Sequence, residues 1–107
     1  MDLINQHIKE LKILCEKHDV DELYVFGSIL TDFFEEKSDI DFLVYFGAVD
    51  SYDYFDNYMD FKESLEHLFK REIDLLEAQT LKNPILKSSI HKNKSRIYGR
   101  ADSKMVV

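Results

Sequence analysis

Residues 27–45 read GSILTDFFEEKSDIDFLVY, and this stretch decides the fold because it joins the end of one predicted strand to the start of the next. Apolar residues dominate DIDFLVYF, residues 39–46, which predicts a largely buried strand. Successive side chains of a strand point to opposite faces, so Asp39 and Asp41 share one face and Ile40 lies on the other. Like charges at this spacing repel, and such a pair near a core is usually balanced by a cation; hard carboxylate oxygens favour Mg²⁺ or Mn²⁺.

The flanking sequence predicts two more strands and about four helices. ELYVFG at 22–27 and REIDLLEA at 71–78 have the β-branched, aromatic and apolar content of short buried strands. Helical spacing of apolar residues predicts helices over 2–18 and over 51–69, with Ser51 as the cap of the second. Residues 28–34 predict a short helix or turn. The last predicted helix starts at Asn83-Pro84, places Leu86, Ile90 and Ile97 on its apolar face and ends before Gly99.

The resulting order is α-β-α-β-α-β-α, which indicates an α/β (α+β) fold with a small three-stranded sheet flanked by helices. A chain of 107 residues is long enough for one core and too short for two, so 1–107 is expected to form a single domain. No apolar run is long enough to span a membrane and the start lacks a signal-peptide pattern, so a cytoplasmic protein is expected. The lone cysteine, Cys15, lies on an apolar helical stripe and is expected to be a buried thiol.

Charge is distributed unevenly along the chain. Residues 1–81 carry 7 Lys/Arg and 20 Asp/Glu, a net charge of −13, whereas residues 82–107 carry 7 and 1, a net charge of +6. An acidic chain of this kind is a poor general binder of nucleic acid. The basic segment could instead meet a phosphate group, an acidic partner or the acidic part of its own fold. The four histidines have no spacing that matches a zinc site.

Three features together indicate phosphoryl-transfer chemistry. Gly27 and Ser28 follow a strand and open a helix or turn, where backbone N–H groups and a hydroxyl can bind phosphate. After a connection of ten residues come Asp39 and Asp41, and Asp74 interrupts the apolar third strand, where a lone charge would be costly without a partner. Three carboxylates beside a phosphate-binding turn are the components of a two-metal site. Each feature alone is more often structural, and it is their joint order that indicates function.

This order, YVFGS, then SDIDFLVYF, then REIDLLEAQTLKNP, resembles the nucleotidyltransferase superfamily typified by polymerase beta, and in particular its minimal nucleotidyltransferases (MNT). The resemblance covers most of the chain. It implies that Gly27 and Ser28 hold the β- and γ-phosphates of ATP, and that Asp39 and Asp41 coordinate two Mg²⁺ ions. It further implies that Asp74 completes the metal site on the acceptor side and helps to take the hydroxyl proton. The implied reaction moves AMP to an acceptor hydroxyl with release of pyrophosphate.

The resemblance also implies a partner. MNT proteins usually pair with a small helical HEPN toxin and act as its antitoxin by adding AMP to one of its tyrosines; a homodimer or a hetero-oligomer with the partner is also consistent with so small a domain. One departure favours an alternative: where the family has a small residue, an arginine and a glycine after Gly-Ser, this chain has Ile29–Asp32. Lys37 or Lys87 could supply the missing positive charge. The alternatives are a protein that neutralises its partner by binding alone and, with less support, a transferase for a small molecule such as an aminoglycoside.

Overall fold

A computed structural model describes residues 2–100 of the chain. Its helices are α1 (Asp2–Gln6), α2 (Ile8–Lys17), α3 (Tyr54–Phe69) and α4 (Pro84–Asn93), and its strands are β1 (Val20–Phe26), β2 (Ile40–Phe46), β3 (Ile73–Glu77) and β4 (Ser95–Gly99). Single 3₁₀ turns follow β1, at Gly27–Leu30, and β3, at Ala78–Thr80. No helix within residues 2–100 has the length and apolar character needed to cross a membrane.

The four strands form one mixed sheet in the order β3-β2-β1-β4. β2 and β3 are parallel, and α3 provides the crossover that a parallel pair requires. β1 runs antiparallel to both of its neighbours, β2 and β4. The α+β class expected from the sequence is therefore confirmed, whereas the expected number of three strands is wrong.

The fourth strand lies where the sequence predicted the end of the last helix. The predicted start is confirmed: the Asn83 side chain accepts hydrogen bonds from the backbone N–H groups of Ile85 (3.0 Å) and Leu86 (3.3 Å), and Pro84 is the first helical residue. The helix ends at Asn93, and Ile97 belongs to β4 instead of the helix. β4 pairs with β1, which would otherwise be an exposed edge strand.

Two further boundaries differ from the sequence-based prediction. The first helix is interrupted at His7, whose ring Nδ1 donates to the carbonyl oxygen of Leu3 at 2.9 Å. α3 begins at Tyr54 with Asp53 as its N-cap residue, so Ser51 does not cap it. Ser51 and the two residues after it form turns ahead of the helix. Both differences concern local hydrogen bonding at a helix end, where apolar periodicity carries no information.

The sheet has a different apolar cluster on each face. The larger cluster contains Leu11 and Cys15 of α2 and Phe61 and Leu65 of α3. It also contains the β2 residues on one face of the strand, Ile40, Phe42, Val44 and Phe46. Burial raises the pKa of the Cys15 thiol to about 12, as expected of an unreactive core cysteine. The smaller cluster joins Leu43 to Ala78 and to Ile90 of α4.

Strand alternation places Asp41 and Asp74 on the face that α4 covers only in part. In β2, Ile40 and Phe42 belong to the larger cluster, while Asp41 and Leu43 point to the other face. In β3, Asp74 alternates in the same way with Ile73 and Leu75. The helices of the larger cluster thus hold the sheet rigid from one side and leave both aspartates accessible on the other.

Candidate active site

Asp41 and Asp74 are direct partners on neighbouring parallel strands. The register of β2 and β3 pairs Ile40 with Ile73 and Asp41 with Asp74, so the two carboxylates are brought side by side by the strand pairing itself. The amide of Ile40 donates to the carbonyl oxygen of Glu72 at 3.2 Å, which fixes this register at the start of β2. Asp39 and Asp41 are two residues apart, as the sequence suggested, and Asp74 joins them.

Negative charge is concentrated around Asp41. Burial, the charge of Asp74 and the charge of Asp39, in that order, raise the pKa of the Asp41 carboxyl to about 6, and a hydrogen bond with Asp74 acts in the same direction. A hydrogen bond between two carboxyl groups requires that one of them carries the proton. The fold therefore places a half-buried carboxylate among like charges, an arrangement that a cation would relieve.

Gly27 gives Asp41 the space that it occupies. Phe26, the last residue of β1, pairs with Asp41, and Gly27 follows it with a φ angle of +77°, in the left-handed region that favours glycine. A Cβ atom at this position would overlap the Asp41 carboxylate. A glycine is therefore required at position 27 for two reasons: the left-handed backbone of the turn after β1, and the close approach of the Asp41 side chain.

Ser28 lies in a single 3₁₀ turn and not at the start of an α-helix. The turn is closed by Thr31, whose backbone amide (2.9 Å) and side-chain hydroxyl (2.7 Å) both donate to the carbonyl oxygen of Ser28. The departure from the family pattern has a partial physical explanation here: Ile29 is buried and packs in the larger cluster, whereas Leu30 and Asp32 are exposed. Ser28 itself is half-buried beside Gly27.

Asp39 comes from the loop between the 3₁₀ turn and β2, and Arg71 ties this loop to the start of β3. The guanidinium Nη1 of Arg71 donates to the carbonyl oxygens of Glu35 (3.1 Å) and Ser38 (2.9 Å), and Cζ of the same group lies 4.9 Å from the ring centre of Phe34. Sequence reasoning missed this role. The only signal was a single arginine ahead of the third strand, which is too common to interpret alone.

The donor set is chemically suited to a hard divalent cation, since Asp39, Asp41 and Asp74 supply only carboxylate oxygens and already carry unfavourable charge repulsion. Within residues 2–100, however, no group of three Asp, Glu, His or Cys side chains is placed so that it could hold a metal ion as it stands. Asp41 and Asp74 interact with each other, and Asp39 is exposed. The cation implied by the sequence fits the chemistry of the donors, and the side chains would have to separate around it.

The two lysines considered as replacements for the missing arginine are both exposed. Lys37 lies in the loop before Asp39, and Lys87 lies on α4 close enough to His91 to lower the pKa of that histidine, after burial and Lys94. Among the described residues, neither lysine has a hydrogen bond with Gly27 or Ser28. Their role in phosphate binding stays a prediction.

Comparison with protein families gives one match that spans most of the chain: the family model "Polymerase beta, Nucleotidyltransferase" matches residues 9–103. A protein of Methanocaldococcus jannaschii named as a candidate protein adenylyltransferase is 34% identical over 85 residues, which cover 79% of this chain and 84% of the relative.

Solved structures agree with this relationship. A structure described as a candidate minimal nucleotidyltransferase superimposes with a TM-score of 0.72 at 26% identity, covering 89% of this chain and 95% of the other. A chain in the structure of the tri-AMPylated HEPN toxin of Shewanella oneidensis in complex with an MNT antitoxin gives a TM-score of 0.63 at 14% identity, with coverage of 94% and 76%. At that identity the second likeness is evidence for the fold alone.

Proposed function

This chain belongs to the polymerase beta nucleotidyltransferase family, and we propose that it is a metal-dependent protein adenylyltransferase that moves AMP from ATP to a tyrosine hydroxyl of a HEPN-type toxin, as its antitoxin. The observation that carries the proposal is the pairing of Asp41 with Asp74 across parallel strands, two residues from Asp39 and against Gly27. The names of the relatives support the class of acceptor.

In this proposal, Asp39, Asp41 and Asp74 would hold two Mg²⁺ ions, or Mn²⁺ in their place, and bound ions would neutralise the charge that develops on the phosphates and favour loss of the proton from the acceptor hydroxyl. Gly27 and Ser28 bind the β- and γ-phosphates and orient the α-phosphate towards Asp74. Asp74 accepts the proton of the tyrosine hydroxyl. The tyrosine oxygen forms a bond to the α-phosphorus, and the bond from that phosphorus to the bridging oxygen of the β-phosphate breaks, so that pyrophosphate leaves.

The chain's own contribution is mainly positioning. Parallel pairing of β2 and β3 fixes two carboxylates, and the Arg71 contacts fix the loop that carries the third. The antiparallel neighbour β1 delivers Gly27 to the same point. The backbone positions of these groups are thus set before ATP arrives, and only the aspartate side chains have to rearrange around a cation.

The test is transfer of label from ATP labelled at the α-phosphate to a purified HEPN-type toxin in the presence of Mg²⁺, with the modified residue identified by mass spectrometry. Wild type is expected to label a tyrosine, and Asp41→Asn is expected to abolish labelling. Asp56→Asn, an exposed aspartate on α3, is the matched control and should label normally. Tight binding of the toxin without any Mg²⁺-dependent labelling would contradict the proposed enzyme and support a protein that acts by binding alone, the alternative that the missing arginine after Gly27-Ser28 favours.

A further inference from the structure

A groove lies beside the candidate active site, between the first turns of α3 and the edge strand β3. Its volume is about 310 Å³. Tyr54, Phe55 and Tyr58 of α3 line one side, and the end of β3 with the turn after it lines the other. The Tyr58 hydroxyl donates to the carbonyl oxygen of Leu75, so α3 is fastened to the edge strand at the back of the groove. Phe55 is largely exposed and forms the outer rim.

The groove contains a buried carboxylate, Glu77. Glu77, the last residue of β3, is only 8% exposed. Among residues 2–100, no lysine, arginine or histidine forms an ion pair with it. A buried carboxylate in apolar surroundings is costly unless it is paired or hydrogen-bonded. The groove thus combines apolar walls with a carboxylate that is not ion-paired within residues 2–100.

The Tyr54 hydroxyl lies beside this carboxylate. Burial, then a side-chain hydrogen bond to Glu77 and the charge of Glu77, raise the pKa of Tyr54. Within residues 2–100 the hydroxyl has no partner that meets strict distance and angle limits, so its contact with Glu77 is a weak one. One weak donor leaves most of the acceptor capacity of the carboxylate and the lone pairs of the hydroxyl unused.

We propose that this groove binds a basic side chain, arginine or lysine, of the acceptor protein; the proposal rests on the proposed function. The aliphatic part of such a side chain would pack against Tyr58 and the leucines of the wall, as long basic side chains commonly do. The charged head would donate to the Glu77 carboxylate and the Tyr54 hydroxyl. Stacking of a planar guanidinium on the aromatic wall favours arginine over lysine.

The position of the groove gives this contact a role in choosing the acceptor. Glu77 is three residues after Asp74 on the same strand, roughly 10 Å along it, and it points to the opposite face. The pKa of Tyr58 is raised by burial, by Asp74 and by Glu77, so both carboxylates are near Tyr58, which also lines the groove. A protein that presents its hydroxyl to Asp74 at the sheet edge would therefore have a neighbouring side chain within reach of the groove.

The experiment compares Glu77→Gln with Glu72→Gln in the full chain. Both variants remove one negative charge, but Glu72 is exposed, whereas Glu77 is buried in the groove. The dissociation constant of the complex with a purified HEPN-type toxin is measured without ATP. Glu77→Gln is expected to weaken the complex on the order of tenfold, the usual loss of a hydrogen bond to a charged group, with no change for Glu72→Gln. Equal affinity of wild type and Glu77→Gln would overturn the inference.

Thermal melting of the free proteins is the second readout. Because the buried Glu77 carboxylate has no cationic partner among residues 2–100, Glu77→Gln should melt at the same or a higher temperature than wild type. A lower melting temperature would mean that Glu77 has a structural role and would overturn the inference. Label transfer from ATP is measured separately: absence of transfer by wild type contradicts the proposed function, while the binding comparison still decides whether the groove contacts the partner.

Discussion

Two carboxylates on opposite faces of the sheet have opposite electrostatic surroundings. On the helical face, Asp60 meets Nε2 of the buried His18 at 2.8 Å, and Nδ1 of the same ring lies 2.7 Å from the carbonyl oxygen of Leu14. Asn57 completes this network by donating to the carbonyl oxygen of His18 at 2.8 Å. On the other face, burial, Asp74 and Asp39 all act on Asp41 in the direction that opposes its ionisation.

The Asp60 carboxylate is hydrogen-bonded to His18 and supports the packing of α2 on α3, whereas the surroundings of Asp41 oppose its ionisation. The His18 network satisfies every group that it buries and links α2 to α3. The Asp41 group destabilises the folded chain until something positive binds there, and this is the pattern expected where function is retained at some cost to stability. Substitutions in the two regions should therefore change stability and activity in opposite ways.

The largest effect is expected for Asp41→Asn. Label transfer should fall by a factor on the order of 1,000 or more, because the variant loses one of the three proposed metal ligands and part of the charge arrangement. Stability should rise. Since the pKa of folded Asp41 is about 6 against an ordinary value of 3.8, ionisation costs stability as the pH rises from about 4 to 6, and the variant avoids that cost. The gain should be roughly 1 kcal/mol above pH 6, after allowance for solvent screening, and should vanish below about pH 4.

Urea unfolding of wild type and Asp41→Asn at pH 4 and pH 7.5, without metal, measures this difference. Asp56→Asn is the control, since its aspartate is exposed on α3 and should give the same stability difference from wild type at both pH values. If Asp41→Asn is less stable than wild type at pH 7.5, the carboxylate is structural and the contrast with Asp60 fails.

Gly27→Ala should have the next largest effect on activity. The new Cβ would overlap the Asp41 carboxylate, and the left-handed backbone would be strained. We expect a loss of transfer on the order of 100-fold and a loss of about 1 to 2 kcal/mol in the free energy of unfolding. Gly47→Ala is the matched control: its Cβ would meet the flexible end of the Asp21 side chain at 2.8 Å, which can move away. Normal kinetics for Gly27→Ala would contradict the proposed need for this glycine.

His18→Ala should affect stability and leave the chemistry intact. It removes a side chain that is 2% exposed, together with two hydrogen bonds, so the free energy of unfolding should fall by about 3 kcal/mol. Asp60→Asn should cost less than about 1 kcal/mol, because the Asp60 side chain is 63% exposed. Denaturant titration gives both values, and calorimetry with ATP and Mg²⁺ at a temperature where the variants are folded should give unchanged affinity. A specific loss of nucleotide binding in His18→Ala would mean that the two faces of the sheet are functionally coupled and would contradict the proposed separation of stability from activity.

The sequence predicted what depends on local pattern. The alternation around Asp39–Phe46 fixed the face of Asp41, and Asn83-Pro84 marked the start of α4 correctly. It did not predict β4, because Ile97 falls by coincidence at a helical interval from Ile90, and the pairing of Ser95–Gly99 with β1 is a contact between distant segments. Pairing across strands decides such segments more strongly than their own propensity does.

The same limit applies to the site. That Asp39 and Asp41 are close follows from strand geometry alone, whereas the direct opposition of Asp41 and Asp74 depends on the register of two strands that are joined through α3. The carboxylate at Glu77 was not singled out from the sequence. An acidic residue at a strand end is usually exposed, and only the packing of Tyr54 and its neighbours over the strand buries it.

The smallest effect is expected for Arg71→Ala, which tests whether the third carboxylate depends on the loop contacts. The variant loses two hydrogen bonds to loop carbonyls and the contact with Phe34, while the strand pairing that sets Asp41 and Asp74 stays intact. Affinity for ATP with Mg²⁺ should fall about three- to tenfold, and stability by about 1 kcal/mol. Arg71→Lys, which keeps the charge but not the fork of donors, should lie in between, and Lys12→Ala on the exposed side of α2 should change neither quantity. If Arg71→Ala binds ATP as wild type does, Asp39 needs no support from this loop, and the site depends on the strand register alone.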